Sequence, residues 1–211
     1  MRTTKSQFYF FSIGGIKIPA VLIFIFFFAA TAFAQPHVQS PADRARIDSI
    51  FRAIDAMPQD TATVSYINHV YNDYLWQFNL PEAYGRLKYA VRLSGKLNYD
   101  KGEYVSYSNM AGFSMRLGNN YIELQNRLKA LDAARRMNDS VRIVSQWFGI
   151  GVAYHGMGKD SLALLYELDA LRKFRQMVDT TTEQGKDRMS RTYLFIAWTY
   201  QSCGQYASAL P

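Results

Sequence analysis

The chain has 211 residues, 49% of them hydrophobic and 19% charged, with 24 Lys and Arg against 17 Asp and Glu, three His and one Cys. That length suits one globular domain of roughly 100–200 residues, and an apolar share within the ~45–50% of folded proteins excludes disorder along the whole chain. The single Cys203 excludes an intrachain disulfide framework and a cysteine-built zinc site, and the net charge of +7 depends on how the N-terminus is read.

Residues 1–34 read as an export signal. Arg2, Lys5 and Lys17 precede a charge-free run from Ala20 to Ala34, and Ala32 and Ala34 form a small-x-small cleavage site before Gln35 and Pro36. The run falls short of the ~20 residues that cross a bilayer as a helix, so the alternative is an uncleaved anchor, not a full span. Removing these three cations from +7 leaves +4, a modest excess that speaks against nucleic acid as a partner of this region. The expected location is periplasmic or extracellular. Residues 35–45 read as a flexible leader. Over residues 46–57, Ile47, Ile50, Phe51 and Ile54 share one helical face, which predicts a helix capping whatever follows.

A repeat follows. Trp147, Ile150, Gly151, Tyr154, Gly158, Ala163, Ala170 and Leu171 stand in a frame that recurs forty residues earlier at Tyr107, Met110, Ala111, Gly118, Glu123, Ala130 and Leu131. Forty residues earlier again it holds Ile67, Val70, Tyr71, Tyr74, Ala83, Ala90 and Val91. A stretched fourth copy gives Tyr193, Ile196, Ala197, Tyr200, Gly204, Tyr206, Ala209 and Leu210. Spacings of three and four place each set on a helical stripe, and Gly118, Gly158 and Gly204 fall between two stripes, where a turn needs positive φ. Each copy is thus a pair of helices, with Ala83, Ala90, Ala130, Ala163, Ala170 and Gly151 as small residues where helices cross. The first copy lacks the turn glycine and uses Asn79 and Pro81 instead.

This frame resembles the tetratricopeptide repeat (TPR) family. Departures are Asp160 and Glu167 where the family has aromatics, Glu123 in place of Ala, and a period of forty against the usual 34. The resemblance implies an all-α, right-handed superhelical solenoid of helical hairpins over residues 46–211, with repeats at about 64–100, 104–139 and 144–177 and a partial one at 190–211. The polar stretch 178–187 reads as the loop that stretches the last spacing. The fourth copy stops soon after Gly204, which fits either a piece of a longer protein or a short family-specific end.

No catalytic residue, cofactor or metal is expected. His37, His69 and His155 lie in different segments, Cys203 has no partner, and the glycines at 156 and 158 lack a phosphate-loop frame. Arg127, Lys129, Arg135, Arg136, Arg172, Lys173 and Arg175 cluster late in second helices, where cations complement the helix dipole. Asn138 opens an Asn-Asp-Ser glycosylation sequon. The resemblance implies a groove lined by first helices that holds a peptide or protein partner. Its positions here are Asn68, Asn72 and Trp76, then Ser108 and Arg116, then Phe148 and His155, then Arg191, Leu194, Trp198 and Gln201. The leading expectation is an exported, non-enzymatic interaction module. The alternative is the extracytoplasmic sensor of a membrane histidine kinase or transcriptional regulator, joined to the membrane by an uncleaved N-terminus or by sequence beyond Pro211.

Overall fold

The computed structural model describes residues 10–13, 16–19, 40–177, 179 and 181–204. The chain divides after Ser40 into two units. In the first, Phe10–Ile13 (β1) pairs antiparallel with Ile16–Pro19 (β2), Ile13 opposite Ile16. The sequence between them is Gly14-Gly15, a pair favoured in two-residue hairpins. The charge-free run 20–34 and its cleavage site lie outside the described residues.

The second unit is all-α. Its helices are α1 (Pro41–Ala56), α2 (Thr61–Asp73), α3 (Pro81–Lys96), α4 (Asp100–Arg116), α5 (Asn120–Arg136), α6 (Ser140–Gly156), α7 (Asp160–Met177) and α8 (Glu183–Ser202), with a 3₁₀ turn at Leu75–Phe78. Each packs on the next, and α2 also meets α4 as α6 meets α8. No helix among the described residues is long and apolar enough to cross a membrane.

The joints explain the forty-residue period. Helices α4, α5 and α6 are each 17 residues long. Three-residue links separate them, so the long period comes from long helices. At four successive helix ends the chain closes the same way. Tyr99 N–H donates to Ser94 O at 2.9 Å, Asn119 to Ser114 at 2.9 Å, Asp139 to Ala134 at 3.1 Å and Lys159 to Tyr154 at 2.9 Å. This is the six-to-one bond of a Schellman motif, which satisfies carbonyls the helix leaves open. The motif needs a left-handed residue. Gly118 and Gly158 supply it inside hairpins (φ 69° and 70°), and Asn98 and Asn138 supply it between them (φ 52° and 53°). Asn tolerates that region better than other side chains do. Asn138, read from sequence as a sequon, is thus a turn residue. In the first hairpin, left-handed Asn79 follows the 3₁₀ turn and Pro81 opens α3.

Two boundaries differ from expectation. Helix α1 begins at Pro41, so the last five residues of the expected leader are helical; Ser40 then Pro41 is a usual order at a helix start. The expected loop 178–187 is also half helix. Thr182 Oγ1 accepts the Gly185 N–H at 3.1 Å, a capping contact that starts α8 at Glu183. Gly185 serves close approach here, since a Cβ would sit 1.9 Å from Asp179 O.

The core follows the stripes. Ile47, Phe51, Ile54, Val64, Ile67, Leu87 and Phe113 are buried in one cluster over α1–α4, and Val144, Leu171, Phe174, Met189 and Ile196 in another over α6–α8. Between them α5 buries Ala130, Ala133 and Ala134, small enough for close helix approach.

Candidate partner-binding site

The expected groove positions separate into internal ties and two surface groups. Asn68 is buried in α2, so it is not available on an open face. Its amide donates to Val64 O (3.0 Å) and to Ser106 Oγ of α4 (2.8 Å), and its Oδ1 accepts from Asn109 Nδ2 (3.0 Å). Ser108 is half-buried in the next tie, where Gln146 Nε2 of α6 donates to its hydroxyl and to the Tyr104 hydroxyl, both at 3.1 Å. These bonds replace water lost when polar groups enter the helix contacts. His155 bridges the α6–α7 turn, its Nδ1 2.9 Å from Asp160 Oδ1. Asn72 and Gln201 are exposed near the ends of α2 and α8.

One surface group centres on Arg116. Its Cζ lies 5.8 Å from the Trp76 ring centroid, 6.0 Å from that of Tyr71 and 5.9 Å from that of Phe113. Its Nη2 donates to Tyr71 Oη at 2.6 Å and its Nε to Asn79 Oδ1 at 3.2 Å. Burial pushes the Tyr71 phenol up, and Arg116 pulls it partly back. Trp76, on the 3₁₀ turn, remains 47% exposed, presenting one open ring beside a fixed cation.

The other group joins α6 and α8. Phe148 meets Phe195 edge to face at 5.6 Å, and Phe195 meets Trp198 likewise at 5.1 Å. Trp198 is 46% exposed and Leu194 stands beside it on the open side of α8. Arg191 is paired with Asp187 one turn back. A cleft of about 230 Å³ opens here, walled by Phe148 and Phe174 and edged by Ser145, Arg188, Arg191 and Asp187. Sequence reasoning missed Ser145, Phe174, Asp187 and Arg188. The signal was Thr182 three residues before Gly185, which starts α8 early enough to carry Arg188 onto this edge.

Much of the basic cluster is engaged within the chain. Arg136 reaches Asp100 (2.6 Å) and Glu103 (2.5 Å) of α4, Arg172 pairs with Asp169 (2.8 Å), and Arg175 donates to the Tyr193 hydroxyl (2.6 Å). The His69 ring lies 3.2 Å from Asp73 at i,i+4 spacing, an exposed two-residue pair.

Two glutamates lie fully inside. Glu123 is 0% exposed and its Oε1 takes Nε and Nη2 of Arg127 at 3.3 and 3.2 Å. Burial raises its carboxyl and Arg127 counters. Glu167, also 0% exposed, rests on Gly151 of α6 and faces Thr199 of α8. The Thr199 hydroxyl donates to Phe195 O at 3.0 Å, and neither Glu167 oxygen has a hydrogen bond among the described residues. Burial pushes Glu167 up to about 7, against the pull of Thr199 and His155. A neutral acid is the cheaper buried form.

No protein-family model matches the chain, and no curated protein is similar to it. Among solved structures, BtubC (BKLC) from P. vanneervenii superposes with a TM-score of 0.60 at 19% identity. The match covers 77% of this chain, which spans 65% of the length of that one. At that identity the likeness establishes the fold alone: helices packed in chain order, each against its neighbours.

Proposed function

We propose that this chain is an exported, non-enzymatic interaction module of the TPR type, holding a peptide or protein partner against the surface of α2, α4, α6 and α8. The observation that carries the reading is the row Phe148, Phe195 and Trp198 across α6 and α8, ending in a half-exposed indole with exposed Leu194 beside it. Aromatics and arginines dominate binding energy at interfaces, and a ring already packed on one side loses little freedom on binding. Regular hairpins closed by repeated Schellman turns support the TPR assignment, and residues 1–34 support export.

The test is affinity capture with the wild type and with the triple variant Phe148→Ala, Arg191→Ala, Trp198→Ala. Loss of specific partners from a variant that keeps its helical circular dichroism supports the site. An unchanged partner set refutes it.

A further inference from the structure

We propose that the cleft between α6, α7 and the first two turns of α8 receives the side-chain carboxylate of an acidic residue in an extended partner peptide. Arg188 is the receiving group, and the row Phe148, Phe195 and Trp198 takes an apolar residue of the same peptide. The inference rests on reading the chain as an interaction module and names the chemistry of its ligand.

Arg127, Arg135, Arg136, Arg142, Arg172 and Arg191 each pair with a carboxylate. Arg116, Arg175 and Arg188 have no carboxylate in salt-bridge contact among the described residues, and of these three Arg188 is the one that edges the cleft. It is nevertheless held in place. Its Nη1 donates to Ser145 Oγ at 2.8 Å, and its Cζ lies 5.4 Å from the Phe174 ring centroid. The Ser145 hydroxyl in turn donates to Val141 O at 2.8 Å, so its orientation is set from behind. One face and one edge of the guanidinium are therefore fixed, and most of its five N–H donors remain for a planar, two-oxygen acceptor. Such pre-organisation reduces the ordering cost of binding.

The surroundings select charge and size. Asp187 edges the same cleft; Arg191 pairs with it through Nε contacts at 3.0 and 3.1 Å, and Arg188 also acts on it through its charge. Two cations therefore face one carboxylate, the cleft edge keeps a net positive charge, and the complementary ligand is anionic. A volume of about 230 Å³ admits one side chain. It is smaller than the roughly 300–1,000 Å³ of sites that enclose small molecules. The aromatic row leads away from the cleft in two steps of 5.6 and 5.1 Å. At about 3.3 Å per extended residue, that span places the apolar residue within roughly three positions of the acid.

The test is selection of an N-terminally displayed random peptide library on the full chain, followed by binding of the top sequence as a synthetic peptide blocked at both ends. Display and blocking leave only side-chain carboxylates. Enriched sequences are expected to carry Asp or Glu with an apolar residue within three positions. Arg188→Gln, or replacing the acid with its amide in the peptide, weakens binding on the order of tenfold to a hundredfold. The two changes together cost little more than either alone. Arg188→Lys recovers part of the affinity, and Arg172→Gln, outside the cleft, changes nothing. The peptide-side change carries the test even if Arg188→Gln fails to fold. Enriched peptides without an acid, or an amide replacement that leaves affinity intact, overturn this inference while peptide binding stands. No enrichment over background overturns both.

Discussion

On the face of α6 that meets α5, Gly149 makes room for the Arg127 guanidinium, which pairs with buried Glu123; on the face that meets α7, Gly151 makes room for Glu167, which has no cation in salt-bridge contact among the described residues. Both faces put a carboxylate at 0% exposure where the repeat frame has small or apolar residues. The first contact holds a charge by pairing it, and the second holds an acid by keeping its proton. A helical repeat therefore admits a buried carboxylate in two ways, with opposite consequences when a partner is removed or the pH is changed.

The largest effect is expected from Arg127→Met. It leaves Glu123 buried and unpaired and should destabilise the fold by about 3 kcal/mol or more in denaturant unfolding at pH 7. The double variant Glu123→Leu, Arg127→Met should recover most of that loss. If the single variant costs no more than an exposed Arg172→Met control, the pairing account of this face fails.

Glu167→Gln tests the other face through pH. The folded chain keeps the Glu167 proton up to about 7, and the unfolded chain releases it near the ordinary 4.5. Between those values the folded state binds more protons, so the stability Glu167 contributes is full below the unfolded value and is lost as pH rises through 7. The variant should flatten the fall in stability between pH 5 and 8 relative to wild type, and at pH 8 it should be the more stable by roughly 2 kcal/mol. Parallel pH profiles for the two proteins would show that Glu167 does not titrate in this window.

The glycines give the smallest and sharpest contrast. A Cβ at position 151 would meet Glu167 Cγ at 2.6 Å and Ala163 O at 3.0 Å, whereas the nearest atoms to one at 149 are those of the Arg127 side chain, at 2.6–2.8 Å. Gly151→Ala should cost about 1–2 kcal/mol through Glu167 and the Ala163 carbonyl, and Gly149→Ala a similar amount by displacing the Arg127 head from Glu123, measured by thermal unfolding. In the Glu123→Leu, Arg127→Met background the cost at 149 should shrink while that at 151 stays; an undiminished cost at 149 would mean that the Arg127 contact is not what that glycine serves.

Much of the fold was legible because periodicity is local. Over the described residues the stripes, the small residues Ala83, Ala90, Ala130, Ala163 and Ala170, and the positive-φ glycines at 118, 158 and 204 stand where the repeat placed them; Tyr206, Ala209 and Leu210 of the fourth copy lie outside the described residues. Less visible were the turns between hairpins. Leu97-Asn98, Leu117-Gly118, Met137-Asn138 and Met157-Gly158 recur every twenty residues, and the pattern emerges only when Asn is counted with Gly. The site was legible in part. Trp76, Arg116, Leu194 and Trp198 reach the surface, while Asn68 and Ser108 tie α2 to α4 and α4 to α6. A frame position names the face of a helix. Whether that face is open depends on the helix two places along, which the frame does not contain.

By itself the sequence determined the helices, most of their ends and which side of each is apolar, because these follow from backbone preferences and spacing within one or two turns. The i,i+4 spacing of Glu123 and Arg127 on α5 is local, but tertiary structure alone decided that this pair and Glu167 are buried, with Glu167 facing Thr199 and no cation in salt-bridge contact among the described residues. It also decided that Arg188 of α8 lies against Ser145 of α6 and Phe174 of α7. Those outcomes depend on distances between helices, where burial and charge act across contacts that no local pattern records.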